Sequence, residues 1–255
     1  MAVATRSRSR DARGRVRFKP IQQLRAHEYV VEQIRRHIAL RLIAPGESLP
    51  SERELTAMFG VGRPTIQHAL RLLEAERLVE ARRGRRGGTF VSKPLEDDGV
   101  MEELLARLVR QRGELEELLV YRRTIEPAIS RLAAEVRRRD DVTAMRRTLR
   151  GMKDARSEPD YMRFDTEFHL AVAAATQNRF LHRAQEEVRL RLNDALSLLP
   201  ESETWHRRLT GEHETIFDAI HARDADAAEA AAELHVENSE RSVRAVLAAM
   251  SRRRR

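Results

Sequence analysis

Four side chains in the second half of the chain carry donor types suited to a transition metal. Asp165 and His169 stand four residues apart, which puts both on one face of a helix, beside the apolar Phe164, Phe168 and Val172. His213 shares an apolar stripe with Leu209, Ile216 and Ile220, and His235 lies near Ala231 and Leu234 in a run of small residues. One carboxylate and three imidazoles make an N3O set that fits zinc, nickel or manganese. Pattern alone leaves a second reading open, since a core histidine often serves only as a hydrogen-bonding group. His37, His68, His182, His206 and His221 take that second reading or a surface one. The chain has no cysteine, so thiolate metal sites, disulfides and cysteine nucleophiles are excluded.

Arg122 interrupts the apolar stripe Leu115, Leu118, Leu119, Ile125, Ile129 and Leu132. A guanidinium on a buried face needs an anion, either Glu126 one turn on or the carboxylate of a ligand. The first third of the chain offers different chemistry. Arg63, Gln67 and Arg71 recur along the outward face of a helix whose inward residues are Ile66, Leu70 and Leu73, and Arg82-Arg83-Gly84-Arg85-Arg86-Gly87-Gly88 makes a basic hairpin. An arginine fork matches guanine O6 and N7, and a glutamine carboxamide matches adenine N6 and N7.

Periodicity and punctuation predict the elements that hold these groups. Val30, Val31, Ile34, Ile38 and Leu42 give a helix over 24–42, with Pro45-Gly46 after it. Ser51 and Glu54 have the spacing of a capping box at the start of a second helix. Gly60-Val61-Gly62 turns the chain into a third helix from Arg63 to about Glu76, and two short strands, 78–81 and 89–91, flank the basic hairpin. This order is that of a winged helix-turn-helix. The rest is helical in pattern, near 101–111, 114–138 with Pro127 inside, 140–155, 160–176, 178–199, 204–222 and 225–250. The domain plan is a basic arm without apolar content over 1–19, a DNA-binding domain over 20–92, and a linker over 93–100. An all-helical bundle over 101–251 and a basic tail over 252–255 complete it. The expected fold class is mainly α with one small β-hairpin.

Charge divides along the same line. Residues 1–93 carry 20 Lys and Arg against 9 Asp and Glu, a net +11, and residues 94–255 carry 28 against 31, a net −3. A basic module joined to a nearly neutral one suits phosphate binding next to a separate second function. No apolar run approaches the roughly 20 residues that span a bilayer, and the N-terminus has no hydrophobic signal core. A cytoplasmic protein without a membrane partner is the expectation.

Pro50-Ser51-Glu52-Arg53-Glu54-Leu55, Gly62-Arg63-Pro64-Thr65, Ala69-Leu70-Arg71-Leu72-Leu73-Glu74 and Gly87-Gly88-Thr89-Phe90-Val91 resemble the N-terminal domain of GntR-family regulators. Arg122-Arg123-Thr124-Ile125-Glu126-Pro127, Asp165-Thr166-Glu167-Phe168-His169, Thr176-Gln177-Asn178, Glu212-His213 and His235 resemble the FCD ligand-binding domain of that family's FadR subfamily. The resemblance implies a homodimer on a palindromic operator in double-stranded DNA. It implies base or phosphate contacts by Arg53 and Arg63, a phosphate contact by Thr65, and a wing contact around Arg83, Arg85 and Gly87. It also implies a divalent metal on Asp165, His169, His213 and His235, and an organic-acid effector held by Arg122 and Asn178. Gln67 and His68 stand where the family usually has Arg-Glu, which places an adenine reader, or a mere phosphate contact, at Gln67. Arg77 stands where a turn glycine is common.

The expected function is therefore a transcriptional regulator, a repressor in the first instance, whose operator affinity answers to a carboxylate-bearing metabolite. A metal-dependent hydrolase tethered to DNA is the alternative. It lacks an HExxH helix, and only Glu167 or Glu212 offers a general base apart from the ligands. An architectural protein whose second domain only dimerises would have no use for inward Arg122 and histidines.

Overall fold

The computed structural model describes residues 25–84, 87–93, 106–108, 110–196 and 202–253. The expected arm, Arg85, linker residues 94–100 and the last two residues of the tail lie outside that set. Helix α1 spans Ala26–Ala39, α2 Glu52–Phe59 and α3 Arg63–Ala75, followed by strands β1 Val79–Arg82 and β2 Gly88–Val91. The expected capping box starts α2: Ser51 Oγ accepts from the Glu54 amide at 3.3 Å, and the Ser51 amide donates to Glu54 Oε2 at 2.8 Å. Gly60, at φ +64°, ends it in the left-handed region that favours glycine. The strands pair antiparallel with Val79 opposite Val91 and Arg82 opposite Gly88. Val30, Ile34, Leu55, Ile66, Leu73, Val79 and Val91 form one core beneath them.

Helix α1 is shorter than the expected 24–42. Arg41 turns to φ +58°, its amide bonding back to Ile38 O at 2.9 Å and that of Leu42 to His37 O at 3.0 Å. That is a Schellman closure with arginine at the left-handed position. Arg77 (φ +60°) closes α3 and Arg223 (φ +61°) closes a later helix in the same way. The arginine noted at a glycine position thus adopts the glycine's conformation.

The second half builds α4 Arg112–Val136, α5 Arg139–Asp154, α6 Glu158–Ala175, α7 Arg179–Leu196, α8 Glu203–Ala222 and α9 Ala225–Arg253. Helix continues through Pro127 in α4, and α9 runs two residues into the arginine tail. Helix α4 packs along α9 and α5 along α6. At Gly151 a Cβ would lie 2.4 Å from the Phe164 ring, so this glycine lets α5 approach the residue before Asp165. Leu119, Ile129, Met145, Phe168, Val188, Leu192, Ile216 and Ile220 fill the bundle. Among them lie Arg122, Glu126, Asp165, His169, Gln185, Arg189, His213 and His235, all buried. The two halves meet where Arg36 of α1 pairs with Glu186 of α7 at 2.7 Å.

Candidate functional site

In the N-terminal half, α3 presents Arg63 and Arg71 outward, while Gln67 is half-buried. The reason is Glu52, in the first turn of α2. Its Oε2 accepts from Arg63 Nε at 2.9 Å and from Gln67 Nε2 at 3.0 Å. The Arg63 hydrogen bond, working against desolvation, holds the Glu52 carboxyl below the usual carboxylate range. Arg53 and Arg83 are exposed and Thr65 is half-buried at the N-terminus of α3. Arg82 lays its guanidinium over the Phe90 ring, 4.3 Å from the centroid, stiffening the wing. Gly87 has a local reason to be glycine: a Cβ there would stand 2.5 Å from Arg82 O and 2.8 Å from Gly84 O.

In the bundle, the four candidate ligands converge from three helices. Asp165 and His169 come from α6, His213 from α8 and His235 from α9. One ligand atom from each of the three histidines lies within 4.8 Å of the others. His213 Nε2 is 3.2 Å from His169 Nε2 and 3.4 Å from Asp165 Oδ1, and His169 Nε2 is 3.9 Å from that oxygen. Ligand bonds of about 2.0–2.1 Å in a tetrahedron separate neighbouring donor atoms by roughly 3.3 Å, which the 3.2 Å and 3.4 Å spacings match, while the 3.9 Å spacing is wider than such an edge.

The electrostatics agree. Burial, joined by Arg189 and the neighbouring imidazoles, pushes His169 well below the ordinary histidine range. Burial and then His235 do the same to His213, against a smaller opposing pull from Asp165. Both rings are therefore neutral and have a lone pair to give. Burial raises the Asp165 carboxyl, but the opposing charges around it, the Arg189 guanidinium first, outweigh burial and hold it below the usual carboxylate range. His235 Nδ1 donates to Glu212 Oε2 at 3.1 Å, so the Nε2 lone pair is on the inner side, where it accepts from Arg122 Nη2 at 3.3 Å and would have to exchange that partner for an ion. His213 Nδ1 is buried without a partner among the described residues. These residues fit a divalent ion.

Arg122 stands at the edge of the cluster with Nη2 3.3 Å from His235 Nε2. The internal anion is present: Arg122 Nε donates to Glu126 Oε2 at 3.0 Å. Gln185 Nε2 donates to the other Glu126 oxygen at 2.8 Å. A cavity beside them is walled by Glu126, Ser130, Gln185, Phe168, Val172 and Ile216. It is closed down to about 10 Å³, a space on the scale of one water. Asn178 is absent from that wall: its Oδ1 accepts from the Phe180 amide at 2.9 Å and caps α7.

Residues 26–91 match the profile of bacterial regulatory proteins of the gntR family, and residues 117–238 match the FCD domain. The Uxu operon transcriptional regulator of Escherichia coli (strain K12) is 33% identical over 224 residues, spanning 84% of this chain and 85% of that relative. The HTH-type transcriptional regulator LutR of Bacillus subtilis (strain 168) is 31% identical over 204 residues, 78% of this chain and 92% of LutR. The chain belongs to the GntR family. The HTH-type transcriptional repressor NanR of Citrobacter rodentium (strain ICC168) is 28% identical over 226 residues, 87% of this chain and 86% of NanR. Among solved structures, E. coli McbR/YncC has a TM-score of 0.52 at 16% identity, over 90% of this chain and 100% of that one, a likeness of fold. This GntR protein is a DNA-binding transcriptional regulator with an FCD effector domain, and not an enzyme. No helix among its described residues is long and apolar enough to cross a membrane.

The family's two domains frame what sequence reasoning missed. Gln185, Arg189 and Asn193 recur every four residues along α7, all buried, and Arg189 Nη2 pairs with Asp165 Oδ2. The available signal was the polar spacing itself, on a face whose other buried members are Val188, Leu192 and Leu196.

Proposed function

We propose that this regulator is a repressor of the FadR subfamily that binds a palindromic operator as a homodimer in the cytoplasm. Its affinity is set by a carboxylate-bearing metabolite held with a divalent metal in the FCD domain. The observation that carries the reading is the convergence of His169, His213 and His235 beside buried Arg122, with Asp165 Oδ1 3.4 Å from His213 Nε2 and 3.9 Å from His169 Nε2. Asp165 Oδ1 and the three Nε2 atoms would hold the ion, and zinc, nickel and manganese all suit them. The ion would supply a Lewis-acidic point for one effector carboxylate. Glu212 fixes the His235 tautomer, Arg122 turns a second positive charge toward the anion, and Phe168, Val172 and Ile216 keep water out. The cavity must widen for any organic acid, and that demand couples binding to movement of the helices around it. Exposed Val120 and Tyr121 on α4 offer apolar surface to a second copy.

At the other end, Arg53, Arg63, Thr65 and Gln67 meet the major groove, and Arg83, Arg85 and Gly87 on the wing meet backbone or minor groove. The test is DNA binding by fluorescence anisotropy on an operator obtained by random-site selection, titrated with organic acids with and without chelator. The expected result is that one carboxylate weakens binding and that chelation removes its effect. An operator affinity indifferent to every carboxylate of the adjoining operon's chemistry would overturn the effector assignment.

A further inference from the structure

The Asp165 carboxylate faces two ways. Oδ1 turns toward His213 and His169, while Oδ2 is taken by Arg189 Nη2. The same Nη2 donates to Thr166 Oγ1 at 3.1 Å, and that hydroxyl also accepts from Asn193 Nδ2 at 3.5 Å. Asn193 Nδ2 reaches out of the bundle to the carbonyl of Ala39, the last residue of α1, at 3.4 Å. Asp165, Thr166, Arg189 and Asn193 are each at most 2% exposed, so this path runs through the interior. It is also under-satisfied: Arg189 Nε and Asn193 Oδ1 are buried without partners among the described residues. A buried network with spare donors and acceptors has a second arrangement open to it.

We infer that Arg189 and Asn193 are positioning residues that tie the charge at Asp165 to the end of α1 in the DNA-binding domain. Charge delivered at Oδ1 loosens the hold of Oδ2 on Arg189. Arg189 then shifts against Thr166, and Asn193 gains or loses the Ala39 carbonyl. Because α1 packs on α3, the reading helix feels the change. The inference rests on the metal reading for the charge that arrives at Oδ1, while the link from Asp165 through Arg189, Thr166 and Asn193 to Ala39 stands on geometry and can be tested without an ion.

The test is a double-mutant cycle read by hydrogen exchange in the full chain, in chelator. The reporting amides are Leu40, Arg41 and Leu42, which close α1 on the carbonyls of Arg36, Ile38 and His37. Asp165→Asn should change their exchange by about fivefold or more, the low end of measured allosteric couplings. Asn193→Ala should do the same, and the double variant should show no further change, because the two act on one path. Amides of Val31 and Ile34 in the middle of α1 should stay unaltered, which a merely destabilising role would not allow. Should Asp165→Asn unfold the bundle, Arg189→Lys makes the same test, retaining the charge beside Asp165 but losing the fork. Additive effects, or unchanged exchange at Leu40 to Leu42, would overturn the inference. A separate zinc titration keeps the two readings apart: failure of zinc to bind removes the metal site and leaves the metal-free cycle standing.

Discussion

Glu126 changes what a substitution at Arg122 measures. With the two paired in the bundle, Arg122→Met alone strands a buried carboxylate that retains only Gln185, and should cost about 3–5 kcal/mol. Adding Glu126→Gln should recover most of it, because the double variant leaves no unpaired charge; chemical denaturation of both variants checks this. The folded double variant should have lost any response to the carboxylate effector proposed above. At the reading helix, Gln67 shares the Glu52 oxygen with Arg63, so its carboxamide is already oriented before DNA arrives. Random-site selection with Gln67→Arg should move the base preference at one symmetric position from adenine to guanine, by roughly 1–3 kcal/mol. Unchanged preferences with a steeper salt dependence would reduce Gln67 to a phosphate contact.

Helix ends separate what local sequence decides from what packing decides. Arg77 and Arg223 both sit in the left-handed region at a Schellman closure, a conformation that costs a residue with Cβ roughly 1–2 kcal/mol. Arg77 is exposed, so Arg77→Gly should stabilise the DNA-binding domain by about 1 kcal/mol in thermal unfolding. Arg223 has an offsetting use: its Nη1 and Nη2 donate to the carbonyls of Glu135 and Arg137 at 2.8 Å, capping α4. Arg223→Gly should therefore gain nothing and is expected to destabilise the bundle. The elements themselves were legible from caps and stripes. The capping box at Ser51, the inward Ile66 and Leu73, and α8 within one residue of its expected start follow from spacing alone. The end of α1 was not, because apolar Leu42 continues the stripe past a left-handed Arg41. The burial of the three histidines and Asp165 was legible because they stand on apolar faces. Arg189 escaped because its anion lies on another helix, and periodicity along one segment carries no record of partners elsewhere.

At the scale of the molecule, two separate cores sit under two domains, and among the described residues Arg36 with Glu186 and Asn193 with Ala39 are contacts between them. Calorimetry should accordingly resolve two unfolding units. Zinc at about a hundred times its dissociation constant should raise the helical unit alone by roughly 5–10 °C, the equivalent of about 2.7 kcal/mol.

If the FCD domain holds a divalent ion on Asp165, His169, His213 and His235 as proposed, elemental analysis will find it. Protein purified without chelator, or stripped and then incubated with zinc, nickel or manganese, should hold about one ion per chain by coordination of those four groups. In His213→Ala the content should fall sharply while the DNA-binding domain stays folded by hydrogen exchange. Metal content near zero after all three incubations, or an unchanged content in His213→Ala, would contradict the account.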